Sequence, residues 1–450
     1  MKFALKKRSS IDALDMYCKK ASKRTLKFLS IALGSKHIDI EHKSDIRSNI
    51  INHCEILEAA RRKLIQKNQI IISSIHLGVK TFTISKFKIE LLDENNNKNT
   101  DDNIEKQLTV SKPILLDWDK LKLEELFLPD NRSKITLHPT DMTDSIFKLS
   151  QYLTTEKENR ADLFTIGRPK DTYRLSSKPN SFENVLKINL FEQLLYSTLK
   201  NKLSYLNLKQ PQTKNNDDAY LPIISDTKLV SQFWCNLTPV RSILNKSFGK
   251  GSDESNLQLK SPILLNSIKM HLVRRIIESA LQIDNSSNKV TLTPNWEHRL
   301  RTYITEDTLG TYTFSECLGF LGRQRECDNR ELANVFLQGL SWMEWLQTYI
   351  EIENIVTSEK GNYTDEILNQ FNAYCHYKKN KIQEFQKGTS PRLTSLENYH
   401  DDYDNAPYPN NNNNRNNGER KRKFTPYTQY ITGEDKDGSM EDPWIDKIKT

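Results

Sequence analysis

A histidine, His76, closes the apolar run Ile70–Ile75 inside the stretch QIIISSIHLGVKTFTISKF, Gln69–Phe87. The ends of buried strands are where α/β enzymes hold catalytic carboxylates, so an imidazole there changes the available chemistry. It can ligate a soft transition metal, touch a phosphate, or rest as a hydrogen-bonded strand-end residue with no further role. A second candidate is Glu331, at the start of the amphipathic pattern Arg330–Asn354, where a helix N-terminus favours a negative charge. Six cysteines (Cys18, Cys54, Cys235, Cys317, Cys327 and Cys375) form no CxxC pair. Their scatter gives no sign of a zinc site or a disulfide framework, and it suits a reducing compartment.

The remaining candidates are basic. The formal charge is +8, and residues 1–30 hold nine Lys or Arg against two Asp. Lys19, Lys20, Lys23, Arg24 and Lys27 crowd one short segment, and Arg168, Lys170 and Arg174 form a basic loop. Arg274 and Arg275, with Lys269 and His271, mark a basic helix, and RKRK at Arg420–Lys423 is a further cluster. Such asymmetry suits a polyanion such as nucleic acid, with a solvated surface as the plain alternative. No run approaches the ~20 apolar residues of a membrane span. The basic, hydroxyl-bearing start MKFALKKRSS is compatible with a mitochondrial targeting stretch or with a DNA-binding arm.

These residues need elements to position them. Periodicity predicts helices through residues 10–65, the second stopped by Gly34 and the third capped by Ser44. From Gln69 the period falls to two, and Ile70–Ile75, Thr81–Phe87, Lys88–Leu92 and Pro113–Trp118 read as strands. Ala161–Arg168 is a further buried strand and AYLPIIS another, set among long helices at Phe182–Leu203, Ser267–Leu281 and Arg330–Asn354. Trp342 and Trp345 read as core packing on the last of these. Asn-rich runs at Asp93–Asn103, Thr213–Ala219 and Pro409–Asn417 have no apolar surface to offset ordering. The expected organisation is a helical module over 1–66, a main domain over 67–388 and a disordered polar tail over 389–450.

The fold class this order suggests is α/β, a ribonuclease-H-like mixed sheet in which three antiparallel strands lead into two parallel ones. Nucleases of that fold hold two divalent cations on carboxylates from the first strand, a later strand and the last helix. The corresponding stations lie near residues 76, 167 and 331.

SIHLGVKTFTISK, LLDWDKLKLEELF, LFTIGR, LKINLFEQLLYSTLKNKL, NWEHRLRTYI and ANVFLQGLSWMEWLQTY resemble the fungal mitochondrial cruciform-cutting endonucleases, RuvC-like Holliday junction resolvases. The likeness runs from about residue 10 to 385. It implies a SAP-like N-terminal module, a homodimer on four-way junction DNA, a mitochondrial location and catalysis with Mg²⁺ or Mn²⁺.

The catalytic positions depart from that pattern. Where the family has Ser-Met-Asp-Ala-Gly, this chain has Ser74-Ile75-His76-Leu77-Gly78. Thr-Ile-Glu-Arg becomes Thr165-Ile166-Gly167-Arg168, and Asp-Leu-Ala-Asp becomes Glu331-Leu332-Ala333-Asn334. Glu331 alone keeps a carboxylate among His76, Gly167, Glu331 and Asn334. Each lost pair interaction at ligand distance is worth on the order of several kcal/mol, so the two-metal site is expected to be lost, leaving no cofactor. The expectation is an inactive resolvase homologue that binds branched DNA through its basic surfaces. Two rivals stand: an active endonuclease rebuilt from Glu331, Asp328 and His76, and a structural or RNA-associated mitochondrial protein.

Overall fold

The computed structural model describes residues 10–36, 42–78, 81–92, 108–122, 138–155, 160–168, 179–208, 222–235, 254–282, 288–304, 314–318, 329–357 and 364–389. The expected tail beyond 389, the Asn-rich runs and the RKRK cluster lie outside these residues.

Three helices open the chain: α1 (Ser10–Lys20), α2 (Lys23–Leu33) and α3 (Lys43–Lys67). Helix α2 ends on Gly34 at φ 75, as its position suggested. The cap of α3 is His42, with Asp45 in a capping box, and not the expected Ser44, which already lies inside the helix. The apolar faces of these helices, Leu14, Leu26, Ile50, Leu57 and Leu64 among them, enter the same core as the main body.

A six-stranded mixed sheet follows, in the order β5-β4-β1-β2-β3-β6. Strands β1 (Gln69–Leu77), β2 (Thr81–Glu90) and β3 (Ile114–Lys122) are antiparallel neighbours. Strand β4 (Leu163–Arg168) lies parallel to β1, and β5 (Ile223–Asp226) parallel to β4. This is the expected three-then-two arrangement. The short β6 (Thr291–Leu292) adds a parallel strand beside β3 that two residues of sequence do not announce. The two strands read at 81–87 and 88–92 are one. Thr83, Ser85, Phe87 and Ile89 keep one face throughout it, and the register shift opposite Lys86 and Phe87 places its extra residue, Leu116, on β3.

Helices cover both faces. On one, α4 (Pro139–Thr155) and α5 (Pro179–Leu208) pack Met142, Ile146, Phe191 and Leu195 on Ile71, Ile75 and Ile84. The other carries α6 (Thr227–Trp234), α7 (Glu254–Leu281), α8 (Pro294–Tyr303), α9 (Phe314–Cys317), α10 (Asn329–Val356) and α11 (Asp365–Thr389) around Ile70, Ile72, Phe87 and Trp118. Helix α11 escaped the sequence reading, because its 25 residues are largely polar.

Helix α10 is the central beam. Its Leu332, Phe336, Leu340, Trp342, Met343, Trp345 and Leu346 are all buried, so both tryptophans pack and neither is presented to solvent. Gly339 lets it approach the sheet: a Cβ there would lie 2.7 Å from Phe87 Cδ2 and 2.8 Å from Ser85 Oγ. Among the described residues no helix is long and apolar enough to cross a membrane.

Candidate functional site

The strand alternation sets the site. Residues Ile70, Ile72, Ser74 and His76 share the face of β1 that meets α10, while Ile71 and Ile75 face α4 and α5. Pairing then aligns one row across the sheet. Ser225 pairs with Gly167, Gly167 with His76, His76 with Thr83, and Thr83 with Lys120.

Helix α10 crosses above this row and is bolted to it by polar contacts. Trp342 Nε1 donates to Ser225 Oγ (3.2 Å), and Gln338 Nε2 donates to Thr165 O and Oγ1 (3.2 and 3.0 Å). Ser85 Oγ donates to Val335 O (2.8 Å), and Trp118 Nε1 to Leu332 O (3.1 Å). The three stations named from the sequence, 76, 167 and 331–334, therefore do converge under the first turns of α10.

What fills the convergence is basic. Glu331 Oε2 accepts from Thr81 Oγ1 (3.0 Å) and pairs with Lys120 Nζ (3.3 Å). Asn334 Oδ1 accepts from Lys269 Nζ (2.9 Å). Both lysines are buried, Lys120 at 4% exposure and Lys269 at 5%. Two ammonium groups thus stand in the site, Lys120 beside the Glu331 carboxylate and Lys269 beside the Asn334 amide, where the resemblance implies four acids.

His76 and Gly167 complete the replacement. Burial lowers the imidazole's pKa below its ordinary value; Glu331 opposes that shift, and Lys269 and Lys120 reinforce it. His76 is therefore a neutral ring at neutral pH, and its buried Nδ1 has no hydrogen-bond partner among the described residues. At Gly167 a Cβ would fall well inside van der Waals contact of Gln338 Oε1 and 3.4 Å from His76 Nδ1. Gln338 occupies the space a residue-167 side chain would use.

The fit to a pair of hard divalent cations is poor. Such ions need several anionic oxygens. The oxygens present are Glu331, engaged by Lys120 and Thr81, and Asn334, engaged by Lys269. Fixed positive charge beside them adds repulsion. Among the described residues no group of three His, Cys, Asp or Glu is placed to hold a metal ion. Asp328, part of the rebuilt-site rival, lies outside the described residues.

Two of the controlling residues, Lys120 and Gln338, were not singled out by sequence reading, and Lys269 was assigned to an outer basic face. The signals existed. Lys120 alternates with Trp118 on β3, and both are buried. Lys269 stands in helical register with the buried Leu272, Val273 and Ile276.

The expected basic face of α7 is therefore corrected. Lys269 points inward, and Arg274 is 4% exposed with its guanidinium 5.7 Å from the Phe314 ring centroid. Arg275 is exposed, and His271 is half-buried. In the first helices Lys20, Lys23 and Arg24 are exposed and Lys27 is half-buried, while Lys19 pairs with Asp15 at 3.0 Å. Arg168 ends β4 opposite Asp226, and Lys170 and Arg174 lie outside the described residues.

The family described as mitochondrial resolvase Ydc2 / RNA splicing MRS1 matches residues 72–352, more than half of the chain. The chain belongs to this family. Its matched span runs from β1 to α10 and so contains the whole convergence. Mitochondrial RNA-splicing protein MRS1 of Saccharomyces paradoxus is 26% identical over 87% of this chain and 98% of its own length. The same protein of Saccharomyces cerevisiae is 28% identical over 86% and 97%. Cruciform cutting endonuclease 1, mitochondrial, of Saccharomyces cerevisiae is 29% identical over 84% and 95%. The crystal structure of the yeast mitochondrial Holliday junction resolvase Ydc2 aligns at 14% identity and a TM-score of 0.38, over 74% of this chain and 97% of that one.

Proposed function

We propose that this chain is a mitochondrial, nucleic-acid-binding member of its family that does not cleave, and that its substrate class is folded RNA. The observation that carries this reading is the filled site: Lys120 and Lys269 stand beside Glu331 and Asn334 where a nuclease would gather metal-binding acids. Binding survives such a change, because phosphate contacts set affinity while the metals serve only the chemical step. Two of the relatives that match nearly the whole chain are named RNA-splicing proteins, a description that requires no cut at this site. The mitochondrial location rests on the names of the same relatives and of the cruciform-cutting one.

A second reading, binding of four-way junction DNA without cutting, is favoured by the 29% identity to the cruciform-cutting relative. The SAP-like role of α1–α3 and a homodimer belong to both readings.

The deciding experiment offers the purified chain a folded intron RNA, a four-way DNA junction and a linear duplex, with Mg²⁺ and then Mn²⁺. Tight binding of the RNA, at least tenfold above the duplex, with no cleavage product is the expected result. Paired nicks in the junction overturn the non-cleaving reading, and preference for the junction over the RNA moves the substrate to DNA.

The exposed cations of the first helices give a separate prediction. Reversing Lys20, Lys23 and Arg24 to Glu should weaken binding to every nucleic acid alike. The slope of log affinity against log salt should fall by about one for each phosphate that the variant no longer neutralises. An unchanged slope would remove these residues from the interface.

A further inference from the structure

A cavity of about 340 Å³ lies on the sheet's α10 side, well away from the filled site. Its walls come from the approach to β3, the end of α6, the residues before β6, and the facing sides of α10 and α11. Glu344 of this lining stands thirteen residues beyond Glu331 on α10, about 20 Å along the helix axis.

The lining joins two chemistries. Lys112, Lys289, Lys378 and Lys381 contribute four cations against the single carboxylate of Glu344. Even counting Glu351, which takes Lys378 at 2.9 Å from outside the lining, cations outnumber anions. Phe233, Trp234 and Phe385 supply rings, and Asn288 and Gln347 supply amides. Lysines beside aromatic rings are the usual means of holding an unpaired nucleotide: cations for phosphate, a ring for the base.

This is a built site. Glu344 is 7% exposed and holds Lys289 Nζ at 2.9 Å, which places that ammonium 5.3 Å from the Phe385 ring centroid. Burial would raise the Glu344 pKa, but Lys289, Lys378 and Lys381 outweigh it and the net direction is down, so the carboxylate stays charged. Trp234 meets Phe385 edge-on at 5.6 Å and donates to Leu337 O (3.2 Å) and Ser341 Oγ (2.7 Å). Gln386 Nε2 donates to Gln232 O (3.1 Å) and Phe233 O (2.8 Å), fixing α11 against α6. Lys112 and Lys381 stand exposed at the rim.

We infer that this cavity is a nucleotide pocket: it takes one nucleoside monophosphate unit, with the phosphate among the rim lysines and the base against Phe385. Two sources share that chemistry, a free nucleotide and an unpaired nucleotide of a bound RNA. Only the second rests on the nucleic-acid reading above.

The test uses the full chain and calorimetric titration with AMP, adenosine and inorganic phosphate. AMP should bind at one site per chain, at least tenfold tighter than adenosine or phosphate alone. A Lys112→Gln/Lys381→Gln variant, which removes the rim charge without setting a new carboxylate beside Glu344, should weaken AMP at least tenfold, and so should Phe385→Ala. Failure of AMP to bind at millimolar concentration, or binding by both variants as tight as by the parent chain, overturns the pocket.

A hairpin RNA with one unpaired adenosine, compared with its fully paired counterpart, separates the sources. Loss of discrimination between the hairpins in the double variant assigns the pocket to the polymer. AMP binding with equal affinity for both hairpins in the parent chain assigns it to the free nucleotide. Should RNA and DNA bind while AMP fails and the variants change nothing, the pocket falls and the nucleic-acid reading stands. AMP binding with no nucleic-acid binding gives the reverse.

Discussion

Gly167→Glu, the substitution that restores the family's acid on β4, is expected to destabilise the chain by about 2–4 kcal/mol. The cause is spatial first. Any Cβ at 167 meets Gln338 Oε1, and Gln338 is held by its two bonds to Thr165. Displacing it breaks those two bonds, although Thr165 Oγ1 keeps Ser74 Oγ at 2.7 Å, and forces a carboxylate into a space lined by His76. Gln338→Ala in the same chain should return at least half of the loss, an interaction of about 1–2 kcal/mol in a double-mutant cycle. Chemical denaturation of the parent, both single variants and the double variant measures this. Strict additivity would show that Gln338 does not fill the site.

The same geometry governs attempts to restore catalysis. Adding His76→Asp and Asn334→Asp places new carboxylates beside Lys120 and Lys269, which are already within reach of Glu331 and Asn334. The expected product is a set of internal ion pairs. Mn²⁺ should therefore leave the melting temperature of the triple variant unchanged, and a metal-dependent rise would show that the acids can still gather a cation.

Glu58→Ala should cost more, about 3–5 kcal/mol, the usual penalty for breaking a buried ion pair from one side. Glu58 is 6% exposed and accepts from Arg61 Nε (2.8 Å) and Nη2 (3.2 Å), from Arg62 Nε (3.0 Å) and from Tyr349 Oη (3.1 Å). Arg61 also reaches Glu353 at 2.7 Å, so the network ties α3 to α10. Removing the carboxylate leaves a half-buried guanidinium and a buried phenol short of an acceptor.

The pH dependence has a definite sign. Burial raises the Glu58 pKa, yet Arg61, Arg62 and Tyr349 prevail and hold it below the ordinary 4.5. A depressed carboxyl contributes stability above its unfolded pKa and loses it as pH falls through the folded one. The gap between parent and Glu58→Ala should be full at pH 7 and shrink below pH 4.5. A gap that stays constant down to pH 3 would place the stabilisation in packing, not charge.

The parts of this fold that were legible in the sequence are those with an unbroken period. Strand β1 and the inner face of α10 declared themselves by a continuous apolar run and by helical spacing, and His76, Gly167 and Glu331 lie on β1, β4 and α10. Reading failed wherever a polar residue was buried for a tertiary reason. Lys120, Lys269 and Arg274 look like surface cations, because their partners, Glu331, Asn334 and Phe314, are far away along the chain. The register shift beside Lys86 and Phe87 was hidden for the same reason: its extra residue, Leu116, lies on β3, and only the pairing of the two strands reveals it. The residues absent from the family pattern were visible in the sequence, but what had moved into their places was not.

Lys120 and Lys269 carry one more consequence. A cation fixed at the end of a covalent tether has no dissociation constant and no exchange rate. It cannot be stripped by a chelator, outcompeted by calcium or diluted away. The positive charge that Lys120 and Lys269 set beneath α10 is thus written into the polypeptide itself, in place as soon as the chain has folded.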